Sequence, residues 1–141
     1  MPPKTRLDRL VTVRERSEDH ALEHLARAQS SLESAAGRLT GLRQCARQDT
    51  RAPGAAELWV MEEHAHLRAL QQVQKAEGEV VQALSKEQTA RSGYAAAHRN
   101  AEVARRVQGK KRDEISAERE RRERRAVDEL STQRFNASPR T

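Results

Sequence analysis

Paired histidines are the side chains whose spacing could place two metal ligands together. His20 and His24 stand four residues apart, on one face of any helix formed there, with Glu23 beside them. The stretch reads HALEH, however, whereas the helical zinc hydrolase motif is H-E-x-x-H. The other histidines, His64, His66 and His98, complete no ligand set. We therefore expect exposed helical histidines, with no metal site and no catalytic histidine.

The single cysteine gives no stronger indication of chemistry. Cys45 lies between Arg43 and Arg47, but no histidine is positioned to act with it, and one cysteine excludes an intramolecular disulfide and a multi-cysteine zinc site. Glycine-rich phosphate loops are also absent from the sequence. We predict that the chain is not an enzyme and takes no cofactor and no small-molecule ligand.

The composition argues for long helices. Of the 141 residues, 34% are charged and 2% aromatic, so few of the side chains that dominate compact cores are available. High charge with many Ala, Glu, Arg and Leu is typical of coiled coils. Intrinsic disorder is the alternative that the polarity leaves open.

Apolar residues in the first third recur at steps of three and four, the spacing of one helix face. This stripe predicts a first helix over 5–48, and it runs through Leu7, Leu10, Arg14, Ser17, Ala21, Leu25, Ala28, Leu32, Ala35, Leu39, Leu42 and Ala46. The turn signal Pro53-Gly54 predicts a loop over 49–55. A less regular stripe follows and predicts a second helix over 56–134, before a disordered tail over 135–141.

Two helices joined by a short loop pack antiparallel. We therefore predict an all-α fold, an antiparallel two-helix coiled-coil hairpin that forms one domain, with a longer C-terminal helix overhanging. Folding the chain about residue 52 would set Leu42 near Met61 and Leu7 near Ala97. The second helix would then continue for about 35 residues, on the order of 50 Å, without a partner.

The predicted overhang contains KKRDEISAERERRERRAVDEL, in which both signs of charge are interleaved. Glu118 with Arg122, and Glu120 with Arg124, are acid-first pairs at a spacing of four that stabilise a helix. A DNA-reading helix keeps acids off its phosphate-facing surface, whereas 105–125 holds ten basic and five acidic residues. This favours a solvated helix over nucleic-acid binding or a random tail.

The sequence also bounds the compartment. Its apolar runs are far shorter than the roughly 20 residues that span a bilayer, and its N-terminal region carries no apolar signal segment. We therefore expect a cytoplasmic protein.

Both ends of the chain resemble the FliJ proteins of the bacterial flagellar export apparatus. The beginning, RLDRLVTVRERSEDHALEHLARAQSSLESAAGRLTGL, is similar in its Leu-x-x-Leu-Val cluster, acidic pair and Ala/Leu stripe. The end, ERERRERRAVDEL, resembles the family's Glu-Arg repeats closing in Asp-Glu-hydrophobic. The resemblance covers nearly the full length and keeps the order of the parts.

The resemblance implies a stalk that enters the ring of a hexameric export ATPase of the FliI type. The stalk would promote ring assembly and activity, couple the ring to an export gate protein of the FlhA type, and escort export chaperones. Through these partners it would lie at the cytoplasmic face of the inner membrane. The implied ring-binding residues are Leu7, Leu10, Val11, Arg14, Arg121, Arg122, Arg125, Asp128, Glu129 and Leu130.

The implied gate or chaperone contact is weaker, because family aromatics are replaced here. Leu39 and Leu42 match in the first helix, and Leu67 and Leu70 in the second, but His66 stands where an aromatic is typical. Two alternatives remain at this point. One is the equivalent YscO-type stalk of a virulence injectisome, and the other is a generic coiled-coil scaffold.

Overall fold

Two long helices make up the structure. A computed structural model describes residues 2–47 and 54–137, and in these ranges the chain forms α1 (Leu7–Arg47) and α2 (Ala56–Ala137) without a strand. The predicted all-α hairpin is confirmed. Most of the predicted loop and the last four residues of the predicted tail lie outside the described residues. Residues 135–137, predicted as tail, belong to α2.

The start of α1 is capped by its own side chains. The Thr5 backbone N–H donates to Asp8 Oδ2 at 3.1 Å, and the Thr5 hydroxyl donates to Asp8 Oδ1 at 2.7 Å. A Thr followed three residues later by an acid is the sequence signature of a capped helix start. The carboxylate also lies in the first turn, where it complements the helix dipole.

The chain divides into two compact units, each built from both helices: Glu18–Ala97, and Met1–Ser17 with His98–Thr141. In the unit Glu18–Ala97, α1 buries Leu25, Ala35 and Leu39. The stripe predicted from Ala21 onward is therefore the packed face of α1. Ion pairs flank it: Arg43 Nη2 lies 2.7 Å from Glu77 Oε1, and Arg38 Nη1 lies 3.5 Å from Glu79 Oε2.

The packed face of α2 is made largely of alanine. Alanine recurs every seven residues, at Ala69, Ala76, Ala83, Ala90, Ala97 and Ala104, and each is buried or half-buried. Small side chains in a seam let two backbones approach closely, so the leucines of α1 have room to pack. Glu87 is the one buried charge among the described residues, and it pairs with Arg91 at 2.6 Å.

The predicted register is wrong. Glu77, not the Met61 region, lies beside Arg43, and Asp8 contacts Gln108 and Arg112 rather than the Ala97 region. The midpoint in sequence between the two residues of each cross-helix pair therefore lies near residue 60 rather than 52. The error came from folding the chain about residue 52 as if the helices paired from the loop onward, whereas the structure packs the alanine repeat and leaves the large apolar residues at the start of α2 exposed.

The other unit holds the beginning of α1 against the later part of α2. Val11, Ala101 and Ala104 are buried here, and Arg105 Nε donates to Glu15 Oε1 at 3.0 Å. The predicted stripe was wrong at its start, because Leu10, Arg14 and Ser17 are exposed. Val11 and Glu15 face α2 instead. A seam containing carboxylates cannot be found by counting apolar residues.

Candidate functional site

Within the part of the chain that the structure describes, the end of α2 lies without a neighbouring helix. α2 continues for 25 residues past Arg112, which bonds to Asp8 near the start of α1, rather than the 35 expected from sequence. Every residue from 117 to 137 is exposed, and we call this range the bare segment. At 1.5 Å per residue its 21 residues span about 31 Å.

Charge in the bare segment is dense and nearly balanced. Six arginines stand against five carboxylates, so its formal charge is +1: Arg119, Arg121, Arg122, Arg124, Arg125 and Arg134, against Glu118, Glu120, Glu123, Asp128 and Glu129. Such a surface offers many polar contacts but only a weak net field. It suits a partner that presents both signs of charge better than it suits a polyanion.

Ion pairs along the helix axis support the bare segment. Arg122 Nη2 contacts Glu118 Oε1, and Arg124 Nη2 lies 3.3 Å from Glu120 Oε2, which confirms both predicted pairs. Pairs of this spacing contribute about 0.2–0.5 kcal/mol each. Because these terms are small, the exposed side chains can exchange them for contacts with another molecule.

The ring-binding residues predicted on α1 differ in exposure. Leu10 is 44% exposed and Arg14 is exposed, whereas Leu7 is half-buried. Val11 is only 6% exposed because it packs against α2, so its predicted role as a direct contact is not supported by its position. It positions the start of α1 instead.

The structure does not bring the two predicted halves of the ring-binding set side by side. Asp8 lies beside Arg112, and Arg121 and Leu130 follow Arg112 by nine and eighteen residues. At the helical rise these separations are about 14 and 27 Å along α2. The α2 residues of the set therefore lie beyond the start of α1, all of them exposed.

Asp8 anchors the start of α1 to α2. Besides the two bonds from Thr5, its Oδ1 accepts from Gln108 Nε2 at 2.7 Å and from Arg112 Nη2 at 3.1 Å. These bonds hold the pKa of Asp8 well below its ordinary value of 3.8, with the Thr5 hydroxyl and backbone N–H contributing most, then Gln108 and Arg112. The anchor fixes the point beyond which α2 runs alone.

The predicted gate or chaperone residues also divide by exposure. Leu39 is buried and Leu42 half-buried in the contact between the helices, so Leu39 offers little surface and Leu42 only part of its side chain. Leu67 and Leu70 are 47% and 42% exposed. The α2 pair is therefore the more exposed half of the predicted contact.

Sequence reasoning missed two features of the surface. One is Asp8, whose position three residues after Thr5 was a capping signal that could have been used. The other is the group of large apolar side chains left outside the seam, among them Val81, Leu84 and Phe135. No pattern rule distinguishes them from seam residues until the register is known.

Other kinds of site find little support in the part of the chain that the structure describes. No group of three or more His, Cys, Asp or Glu side chains is placed there to hold a metal ion. His20, His24 and Cys45 are exposed. Neither helix contains, within the described ranges, a stretch long and apolar enough to cross a membrane.

The family model of the flagellar FliJ protein matches residues 3–140. Searches of curated proteins and of solved structures gave no match. The family match covers nearly all of the 141 residues and agrees with a fold of two long helices. The chain therefore belongs to the FliJ family and is a protein of flagellar export.

Proposed function

We propose that this chain is the stalk of the flagellar export ATPase. The bare segment inserts into the central opening of the hexameric ATPase ring and promotes ring assembly and activity, without performing chemistry itself. The family match favours the flagellar system over the injectisome alternative.

One observation carries the proposal: a helical stretch of 21 residues, fully exposed and carrying both signs of charge, continues beyond the start of α1. Such a helix gains little from its own chain, so contacts that desolvate and order it must come from another molecule. A ring's opening can surround a single helix on all sides, which suits arginines and carboxylates distributed around its circumference.

The start of α1 contributes the neck of the stalk. Leu10 and Arg14 are exposed there, close to the anchor formed by Asp8, and together with Leu7 they would meet the rim of the ring. Arg121, Arg122, Arg125, Asp128, Glu129 and Leu130 would lie deeper inside. The two groups act at different depths because the structure separates them along α2.

Coupling to the export gate and escort of export chaperones are assigned to the unit Glu18–Ala97. Leu67 and Leu70 are the exposed members of the predicted contact. These partners would also bring the chain to the cytoplasmic face of the inner membrane. Replacing both leucines with Ser should weaken capture of the gate protein and leave ATPase stimulation intact. Capture at wild-type strength would remove this part of the proposal.

The stalk role is tested with the triple variant R121E/R122E/R125E and the purified export ATPase. We expect loss of ATPase stimulation and of ring binding, because the reversed charges face groups arranged for arginine. Stimulation equal to that of the wild-type chain would refute the role. The matched control is R68E/K75E/K86E, which makes the same charge change at exposed positions of the same helix.

Arg122 needs a second variant, because its reversal also breaks the pair with Glu118. The double exchange E118R/R122E keeps an ion pair in reversed order and leaves the net charge unchanged. Far-ultraviolet circular dichroism checks that helix content is retained. Restored stimulation would show that the pair only supports the helix, whereas continued loss assigns a contact to Arg122 itself.

A further inference from the structure

α2 carries a second apolar face that α1 does not cover. Leu67, Leu70, Val81 and Leu84 are 42–66% exposed. With Gln74 and Glu77 they occupy positions 67, 70, 74, 77, 81 and 84, which follow each other at steps of three and four. We call these six residues the outer stripe. Steps of this kind form the contact line of a coiled coil.

The outer stripe is separate from the seam with α1. The seam of α2 in this unit uses Ala69, Val73, Ala76, Val80 and Ala83, all buried or half-buried. From residue 70 onward, each stripe residue directly follows a seam residue in the sequence, so the stripe lies beside the seam around the helix. Of the stripe, Glu77 reaches α1 through its bond to Arg43 at 2.7 Å. The four apolar side chains remain without a covering element in the described chain.

We propose that the outer stripe binds the outer stripe of a second copy of this chain, with the two α2 helices antiparallel. The spacing is self-complementary about a point midway between residues 75 and 76. In that register Leu67 faces Leu84 of the second copy, and Leu70 faces Val81. A contact in which one patch meets itself is the isologous interface of a two-fold dimer.

Polar groups also match in this register. Gln74 faces Glu77 of the second copy, so an amide can donate to each carboxylate on either side of the two-fold axis. Continuing the stripe by four residues at each end pairs Glu63 with Gln88 of the second copy, which again sets a carboxylate opposite an amide. The outer flank of the stripe, at His64, Gln71, Gly78 and Ser85, carries no Lys, Arg, Asp or Glu. Like charges therefore do not oppose the approach of the second helix.

The contact is small, so the dimer is weak. From 67 to 84 the stripe is about 26 Å long, and a helix is about 10 Å wide. The buried surface then falls below the roughly 1,200 Å² of stable complexes. We expect monomer and dimer in a concentration-dependent equilibrium.

The dimer does not depend on the proposed stalk role, since it uses neither the bare segment nor the start of α1. It does cover Leu67 and Leu70. If those leucines contact the gate protein, then only the monomer offers them, and self-association competes with docking.

Cysteine cross-linking tests the dimer and its register. In a C45A background, chains carrying L67C are mixed with chains carrying L84C and oxidised. We expect a disulfide-linked dimer from the mixture. Each variant alone should stay uncross-linked, because identical positions lie 17 residues, about 25 Å, apart along the antiparallel pair. Absence of cross-linking in the mixture would overturn the proposal.

Two further experiments, a register control and a sedimentation comparison, make the result decisive. A mixture of V60C and L84C is out of register by seven residues, about 10 Å, and should not cross-link. A product there instead of in the first mixture would overturn the register. Sedimentation of the full chain should show at least about tenfold weaker association for L70E, since a carboxylate replaces a buried leucine. L22E, an exposed leucine on α1, is the control, and equal weakening by both would also refute the stripe.

Discussion

Replacing the seam residue Leu25 by alanine should lower the free energy of unfolding of the hairpin far more than the same replacement at the nearby exposed Leu22. Leu25 is 9% exposed and packs against α2, whereas Leu22, one turn away on the same helix, is 48% exposed. Leucine to alanine at a buried site costs about 2–5 kcal/mol. Water reaches a two-helix seam from both sides, so the cavity is partly relieved and we expect the lower end, about 2 kcal/mol, for Leu25→Ala.

The same substitution at Leu22 should cost less than about 0.5 kcal/mol, because Leu and Ala have similar helix propensities and little burial is lost. Urea unfolding followed by circular dichroism measures both. With a slope of roughly 2 kcal/mol per molar urea, Leu25→Ala should lower the midpoint by about 1 M, and Leu22→Ala by about 0.2 M at most. Equal shifts for the two variants would show that the seam has been placed on the wrong face of α1.

Two other predictions concern the unit that holds the start of α1. Ala101 is fully buried, so Ala101→Leu should force the helices apart and cost about 1–3 kcal/mol in the same urea assay, whereas Ala117→Leu in the bare segment should be nearly neutral. The pKa of Asp8 is lower in the folded state than its ordinary value of 3.8. Its contribution to stability is therefore complete above about pH 3.8, and it is lost as the pH falls from there towards the folded-state pKa. The stability difference between wild type and Asp8→Ala should therefore be larger at about pH 6 than at about pH 2.5, and a difference independent of pH would contradict the anchor.

The sequence determined the fold class and much of α1, but not the pairing of the helices. From Ala21 to Ala46 the residues of the predicted stripe, all of them leucine or alanine, are buried or half-buried along one face. The charged overhang and its two ion pairs were also foreseen. Periodicity suffices for these features because each depends on residues close together in the chain.

Register could not be obtained in this way, since it depends on which face of α2 meets α1. α2 has two apolar faces, one of alanines at 69–104 and one that includes Leu67, Leu70, Val81 and Leu84. Hydrophobicity alone would choose the leucine face of α2 as the one that meets α1, whereas close packing of the two backbones favours the alanine face. The polar contacts of Asp8 and Glu15 with α2 are the other feature beyond reach, because their partners there, Arg112 and Arg105, lie about 90–104 residues away in the chain.

The central claim is that the bare segment is what the export ATPase ring receives. A chain ending at Ser116 keeps both units' contacts between α1 and α2 and loses only the solitary part of α2 and the residues after it. Its binding to the purified ATPase, titrated beside the full chain, is the most direct measurement. The proposal predicts a folded hairpin with no measurable ring binding and no stimulation; full binding by the shortened chain would contradict it.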